Sequence, residues 1–395
     1  MGSSAGILSL ESYVFPPNKD GPFERNPGHE MPPKVLYIYE GKLTHHGIDH
    51  VVRQQLRALV ENGFHVDLVS RGNPHWDGIT FHGQRWTIAN AFSWLPRSIY
   101  YPAQKRIFMA MGARLARNGG YEKIISWRDR ALTAFRKGSQ LGIPCYLNHD
   151  AMHWSHAAAT GSPTPHWPAL SRAEMDEEYR LANVLLLTSD NSKSTFLSHV
   201  EDTEKLKVIG RGVDTERFSP CAANKDSTFR LVFCGRAGER KGIRQVVEAW
   251  NSANLPAAEL LVIGDIDKNV EDLVSENSHR NIHWMGFQRD LPAIFHTCDA
   301  QILLSRREGM AKSLLEGAAS GLATIATIDC GFPMRDGMNG FMVSRENTAL
   351  VAEKLRFLHQ NRNQCAEMGK AGRDTVVAEY SWGKFRERFI QAIGV

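Results

Sequence analysis

The chain has 395 residues, 42% of them hydrophobic and 23% charged, with a formal net charge of +4. That length points to two or three domains with ordinary cores, and no run of about 18 apolar residues is present to span a membrane. The cysteines Cys145, Cys221, Cys234, Cys298, Cys330 and Cys365 include no Cys-x-x-Cys pair, which argues against a zinc site or a disulfide framework and for reduced thiols in the cytoplasm.

Residues 1–33 are rich in Pro and Gly and lack a basic stretch followed by an apolar one, so they read as an irregular arm rather than a signal peptide. The apolar run Val35–Tyr39 predicts a first strand. A loop with His45, His46 and Gly47 follows, then a helical pattern over Ile48–Asn62 closed by Gly63. Gly47 would let the backbone approach a ligand beyond that strand. Val66–Val69, Lys123–Ser126, Pro144–Leu147 and Val184–Leu187 predict further strands, separated by helical patterns. This alternation implies a parallel sheet with helices on both faces.

Between Arg97 and Lys137 the basic residues are opposed only by Glu122 and Asp129. Residues 97–137 fit a surface that meets anionic lipid or an anionic acceptor, and they equally fit a solvated helix face. No aromatic-interleaved basic motif accompanies them, so nucleic acid is not expected. His149 and Asp150 follow the strand Pro144–Leu147. A histidine there either faces a cleft and bonds a sugar hydroxyl or packs as a structural residue. His153 and His156 close behind have no spacing that compels a metal.

The polar stretch Gly210–Thr228, with Pro220, reads as a linker. Beyond it, Arg230–Phe233, Glu259–Ile263, Ile282–Trp284, Ala300–Leu304 and Ala323–Ile325 predict a second parallel sheet, with helices such as Ile243–Trp250 and Leu291–His296 between them. Two such sheets facing each other would enclose a ligand cleft at their strand ends. Gly235 to Gly242 join a strand to a helix, and Arg236 and Lys241 bracket that glycine turn. Fixed cations there suit a departing diphosphate and need no metal, although a solvated turn has the same composition. Asp265-Ile266-Asp267 ends a strand and reads as a loop or cap rather than a metal pair.

The densest chemistry lies in Ser305–Gly321. Glu308 follows an apolar strand, Gly309 and Met310 turn the chain, and an Ala/Leu-rich helix carries Glu316. A helix starting near Ala311 sets Glu316 about 7 Å along its axis. The helix N-terminus suits an anion, and a glutamate on either side of it suits a ligand with hydroxyls flanking a phosphate, as in a nucleotide-sugar. Two solvated surface carboxylates are the plain alternative.

Together these residues resemble glycosyltransferase family 4, retaining enzymes with the GT-B fold of two Rossmann-like domains. The resemblance is strongest from Val208 onward. It rests on Val213-Asp214 to Pro220, the Gly-Arg-x4-Lys-Gly turn, the Glu308/Glu316 pair, Gly337-Met-Asn-Gly340 and Tyr380-Ser-Trp382. It implies an N-terminal acceptor-side domain over 34–208, a donor domain over 209–378 and a final segment over 379–395 crossing back to the first domain. It further implies that Arg236 and Lys241 bind the donor diphosphate, Glu308 the donor sugar and Glu316 the ribose. Gly235, Gly309, Met310, Ala311, Lys312 and Ser313 would line the donor pocket. Gly47 would approach the phosphate from the other domain, and His149 would touch the sugar near the reacting carbon. The chain departs from the family pattern at His46, at Gly210-Arg211 and over 330–336.

The activity so implied is metal-independent hexosyl transfer, without a cofactor, from a UDP-, GDP- or ADP-linked sugar to a sugar, lipid-linked or other hydroxyl acceptor, in polysaccharide or glycolipid assembly. A nucleotide-sugar epimerase on the same fold and a non-catalytic nucleotide-sugar-binding relative are the alternatives.

Overall fold

A computed structural model describes residues 32–44, 47–83, 94, 96–159, 170–221, 227–277 and 281–395. The arm expected at 1–33, except its last two residues, lies outside them, and so do His45 and His46. Two sheets organise the unit Pro33–Val395. The first contains β1 (Lys34–Ile38), β2 (His65–Val69), β3 (Ile79–Phe81), β4 (Lys123–Trp127), β5 (Cys145–His149), β6 (Val184–Leu187) and β7 (Leu206–Val208) in the order β3-β2-β1-β4-β5-β6-β7. The second contains β8 (Phe229–Cys234), β9 (Ala258–Ile263), β10 (Ile282–Gly286), β11 (Ala300–Leu303), β12 (Ala323–Ala326) and β13 (Gly340–Met342) in the order β10-β9-β8-β11-β12-β13.

Every pairing in both sheets is parallel. Parallel strands are covered on both faces and therefore read as continuous apolar runs. The central strands behave so: β11 is buried at all four positions and β1 at four of its five. The three-residue strands β3, β7 and β13 left no such run and were not expected.

Strand order reverses between β1 and β4 in the first sheet and between β8 and β11 in the second. At such a switch point the loops leaving adjacent strands diverge and open a crevice. The loop after β8 is the Gly235–Gly242 turn, and the loop after β11 carries Glu308. The Gly235–Gly242 turn and the Glu308 loop therefore flank one crevice.

Within the stretch 210–228, the described residues 210–221 are packed rather than loose. Val213 N donates to Tyr380 O at 2.8 Å, and Phe218 is buried in the second core. Two consecutive helices, Arg362–Tyr380 and Trp382–Ala392, close the chain. Ser381 caps the second one by accepting from Lys384 N. Its apolar face places Phe385 and Phe389 among Val35, Leu56 and Ile125 of the first core, and Tyr146 donates to Ile393 O at 3.1 Å. The last helix thus lies on the first sheet.

Candidate active site

Lys241 and Glu308 meet at the second switch point. Lys241 ends a short 3-10 turn, Glu239–Lys241, and Gly242 follows in the left-handed region at φ +77°. A side chain there would also strike Leu304 O at 2.2 Å, so glycine is required on both counts. The turn delivers Lys241 Nζ to 2.7 Å from Glu308 Oε1, and Arg240 binds the same carboxylate oxygen. Lys241 and Glu308 side chains are only 13% and 16% exposed. Burial alone would raise the Glu308 carboxyl, but Lys241 and then Arg240 outweigh it and hold the group below the usual glutamate range.

The helix Lys312–Ala319 begins one residue after the predicted start, with no side chain capping its N-terminus. Its first-turn amides therefore remain suited to an anion. Lys312 Nζ pairs with the buried Glu316 at 2.6 Å, one helical turn apart. Cys234, the last residue of β8, feels Glu316, Lys241 and Lys312 together, which joins the two ion pairs in one locality. Burial, with Glu316 adding, pushes its thiol up to about 12.

Gly309 seats this loop on the first domain. A Cβ at Gly309 would lie 2.1 Å from Asp150 O and 2.5 Å from Thr188 Oγ1, and Ser189 Oγ donates to Gly309 O at 2.6 Å. Arg211, at the start of the inter-domain connection, donates to Met310 O at 3.3 Å. Burial pushes its guanidinium below the ordinary value, while Asp150, Glu308 and Glu316 act the other way. Arg211 was legible only as a departure from the family pattern. The structure makes it a half-buried cation beside the Gly309–Met310 loop.

Of the remaining predicted residues, only Gly235 touches this cluster. Arg236 is paired with Asp267, and its side chain is 69% exposed. Asp267 is thereby engaged as a loop residue. Gly235, at φ +149°, sits against the Lys241 side chain. Gly47 opens the first helix at φ +58°, with nothing within 4 Å of a Cβ placed there. The nearby Asp49 carboxylate accepts from Thr44 N at 2.9 Å and from Tyr39 OH at 2.5 Å. His149 is buried: Nδ1 bonds Ala151 O at 2.8 Å, Nε2 bonds Tyr179 OH at 3.2 Å, and its ring meets Phe196 edge-on. Both ring nitrogens are therefore engaged inside the first domain. His153 stacks on His199. Among the described residues no group of three or more His, Cys, Asp or Glu side chains is gathered to hold a metal ion.

Two cations of the basic stretch 97–137 pair with carboxylates inside the first domain. Arg128, at the end of β4, pairs with Asp150 at 3.0 Å and Asp129 at 3.1 Å. Asp129 itself adopts φ +66°, an uncommon conformation for a residue with a side chain. Arg130 pairs with Glu40 beyond β1 at 2.8 Å.

Two parallel α/β domains, a cleft at their switch points and a terminal helix returning to the first domain define the GT-B fold. Residues 228–361 match the family model Glycosyl transferases group 1, and the chain has the GT-B fold. The chain is 26% identical over 168 residues to the lipopolysaccharide core biosynthesis glycosyltransferase LpsE of Rhizobium meliloti, covering 41% of this chain and 49% of that protein. It is 24% identical over 225 residues to the GDP-mannose:cellobiosyl-diphosphopolyprenol alpha-mannosyltransferase of Xanthomonas campestris, covering 53% and 59%. The chain thus spans about half the length of the relatives it matches. Sucrose-phosphate synthase from Thermosynechococcus elongatus shares the fold at TM-score 0.72 and 19% identity, over 91% of this chain and 98% of that one. Anabaena HepE, solved with UDP, does so at TM-score 0.69 and 15% identity, over 91% and 99%.

Proposed function

We propose that this chain is a retaining, metal-independent glycosyltransferase of family 4, moving a hexosyl group from a nucleoside diphosphate sugar to a hydroxyl acceptor. The observation that carries the reading is the convergence of the Lys241–Glu308 and Lys312–Glu316 pairs on one uncapped helix N-terminus. Lys241, supported by Arg240, would stabilise charge growing on the departing diphosphate, and the helix amides would hold the phosphates. Glu308 and Glu316 would accept hydrogen bonds from the sugar and the ribose. The phosphate would take the acceptor proton on the face where the new bond forms, which preserves the anomeric configuration. Contact of Gly309 with Asp150 would keep water from the reacting carbon.

Similarity to named GDP-mannose-dependent and lipopolysaccharide enzymes supports a role in polysaccharide or glycolipid assembly. A thermal-shift screen of the chain with UDP-, GDP- and ADP-sugars tests the donor assignment, because a ligand of the native state must raise its apparent stability. If no donor shifts the transition, the reading fails. A donor that binds without transfer to any of a broad acceptor panel would leave a non-catalytic binding protein.

No helix among the described residues is long and apolar enough to cross a membrane. The helix Arg97–Arg117 exposes Ile99, Ile107, Arg106, Arg114 and Arg117, with the exposed Trp94 just before it. Apolar and basic side chains on one surface suit peripheral contact with an anionic leaflet. Co-sedimentation with phosphatidylglycerol vesicles but not with phosphatidylcholine vesicles is the expected result, and its absence would remove this part of the proposal.

A further inference from the structure

We infer that the cleft holds a second anion subsite, anchored by Arg307 and flanked by Arg128 and Arg240, for an oxyanion on the acceptor beside the hydroxyl that receives the sugar. This rests on the glycosyl-transfer reading above.

Arg307 is fixed by its neighbours in the chain. Arg306 N donates to Arg240 O at 2.9 Å, Arg240 Nη1 donates to Arg307 O at 3.1 Å, and Glu308 N donates to Asp329 O at 2.7 Å. The backbone on both sides is pinned, which fixes the point from which the side chain reaches out. Glu308 is the one carboxylate shared by Arg240 and Lys241. Among the described residues no ion pair or hydrogen bond holds the Arg307 guanidinium, although it is half-buried.

Its surroundings make that unusual. Burial, then Arg240, then Arg128 push the Arg307 guanidinium below its ordinary value, with only Glu308 acting the other way. Arg128 comes from the end of β4, on the other side of the domain boundary, and its charge is already committed to Asp129 and Asp150. The packing agrees: Arg240 Nη1 lies 3.1 Å from Arg307 O, and Arg128 is held by Asp150, whose carbonyl packs on Gly309, two residues beyond Arg307 in the chain. A half-buried cation in that company is unfavourable unless an anion joins it. The donor diphosphate has its own partners on the β8 side, Lys241 and the amides of the helix Lys312–Ala319. Arg307 instead feels Arg128 of the first sheet, the acceptor side. A guanidinium presents parallel N–H groups that match the two oxygens of a carboxylate or a phosphate.

The experiment uses the full chain saturated with whichever nucleoside diphosphate stabilises it. Inorganic phosphate and methyl glucuronide are then titrated separately, with chloride at matched ionic strength as control. At least one should raise Tm further, by a few degrees and saturably. A response to phosphate alone points to a phosphorylated acceptor, and a response to the glucuronide alone to a uronic acid. Arg307→Gln should remove that second shift, leave the nucleoside diphosphate shift intact and keep or raise the Tm of the unliganded chain. Arg307→Lys, which retains charge without the fork, should weaken the shift and not abolish it. No shift beyond chloride in the parent chain, or an undiminished one in Arg307→Gln, overturns the inference. If no nucleoside diphosphate stabilises the chain, the donor reading falls, and the same two titrations without nucleotide still decide the role of Arg307.

Discussion

Lys241 Nζ lies 2.7 Å from Glu308 Oε1, although the two residues leave different strands on either side of a switch point. The pair neutralises a largely buried cation. On the proposed reading, a diphosphate entering the cleft would offer Lys241 a second anionic partner, and Glu308 would then turn some of its acceptor capacity to sugar hydroxyls. Exchange of partners, rather than creation of new charge, is what this geometry provides.

Lys241→Ala should therefore lower kcat by roughly 10²–10³-fold, the loss expected when one donor to a developing anion is removed. Lys241→Arg should recover only part of it, because a planar fork does not occupy the same place as an ammonium. Turnover numbers measured with saturating donor check both. Unchanged turnover in Lys241→Ala would remove the diphosphate assignment.

A pH dependence follows from His149. Burial first, then Arg128, lower it from 6.5 to about 4, so it is neutral in the fold at pH values where the unfolded chain binds a proton. The stabilisation is complete above about pH 6.5 and is lost as pH falls toward 4. At about 1.4 kcal/mol per unit, that loss approaches about 3 kcal/mol. Burial lowers His153 to about 4 as well, so the two share this window. Denaturant unfolding at several pH values should show stability falling steadily from pH 6.5 to 4. His149→Phe should flatten the slope by about one proton. An identical slope in the variant would show that the ring titrates normally.

The sequence made the sheets legible because buried parallel strands are uninterrupted apolar runs. The Gly235–Gly242 turn and the Glu308/Glu316 pair were legible because strand, turn and helix are contiguous. Arg211 was not, because its importance comes from Met310, a contact between residues 99 apart in the chain. Arg307 next to Glu308 was unreadable for the same reason: its neighbour Arg128 belongs to the other sheet. The direction of His149 was hidden because β5 is buried at every position, so a period of two distinguishes no face. Arg236 stood in the expected motif, yet its pairing with Asp267 depends on how two loops meet.

Arg211 is the cation that sequence undervalued, and its removal should separate binding from turnover. Arg211→Met keeps much of the side-chain volume and removes the charge between Asp150, Glu308 and Glu316. Donor affinity should change by less than about tenfold, since Lys241 and the helix N-terminus remain, while kcat falls by more. Isothermal titration with the nucleoside diphosphate, set beside steady-state rates, reads the two quantities independently. Equal losses in both would make Arg211 a simple binding residue.

Gly309→Ala tests the seat of the donor loop on the first domain. The φ of Gly309 does not itself demand glycine, because it lies outside the left-handed region. The demand comes from space: the new methyl would lie 2.1 Å from Asp150 O and 2.5 Å from Thr188 Oγ1. Both obstacles belong to the other domain, and the nearer one is backbone, so relief requires the loop or the domain boundary to shift. Overpacking of this kind costs about 1–3 kcal/mol. Each domain keeps its own core, so the chain should still fold, with a modestly lower Tm. Separation at the boundary should admit water to the reacting carbon. Donor hydrolysis without acceptor should therefore rise relative to transfer, measured as the ratio of free sugar to glycosylated product. A variant with a lower Tm but an unchanged ratio would mean that this contact supports the fold and takes no part in excluding water.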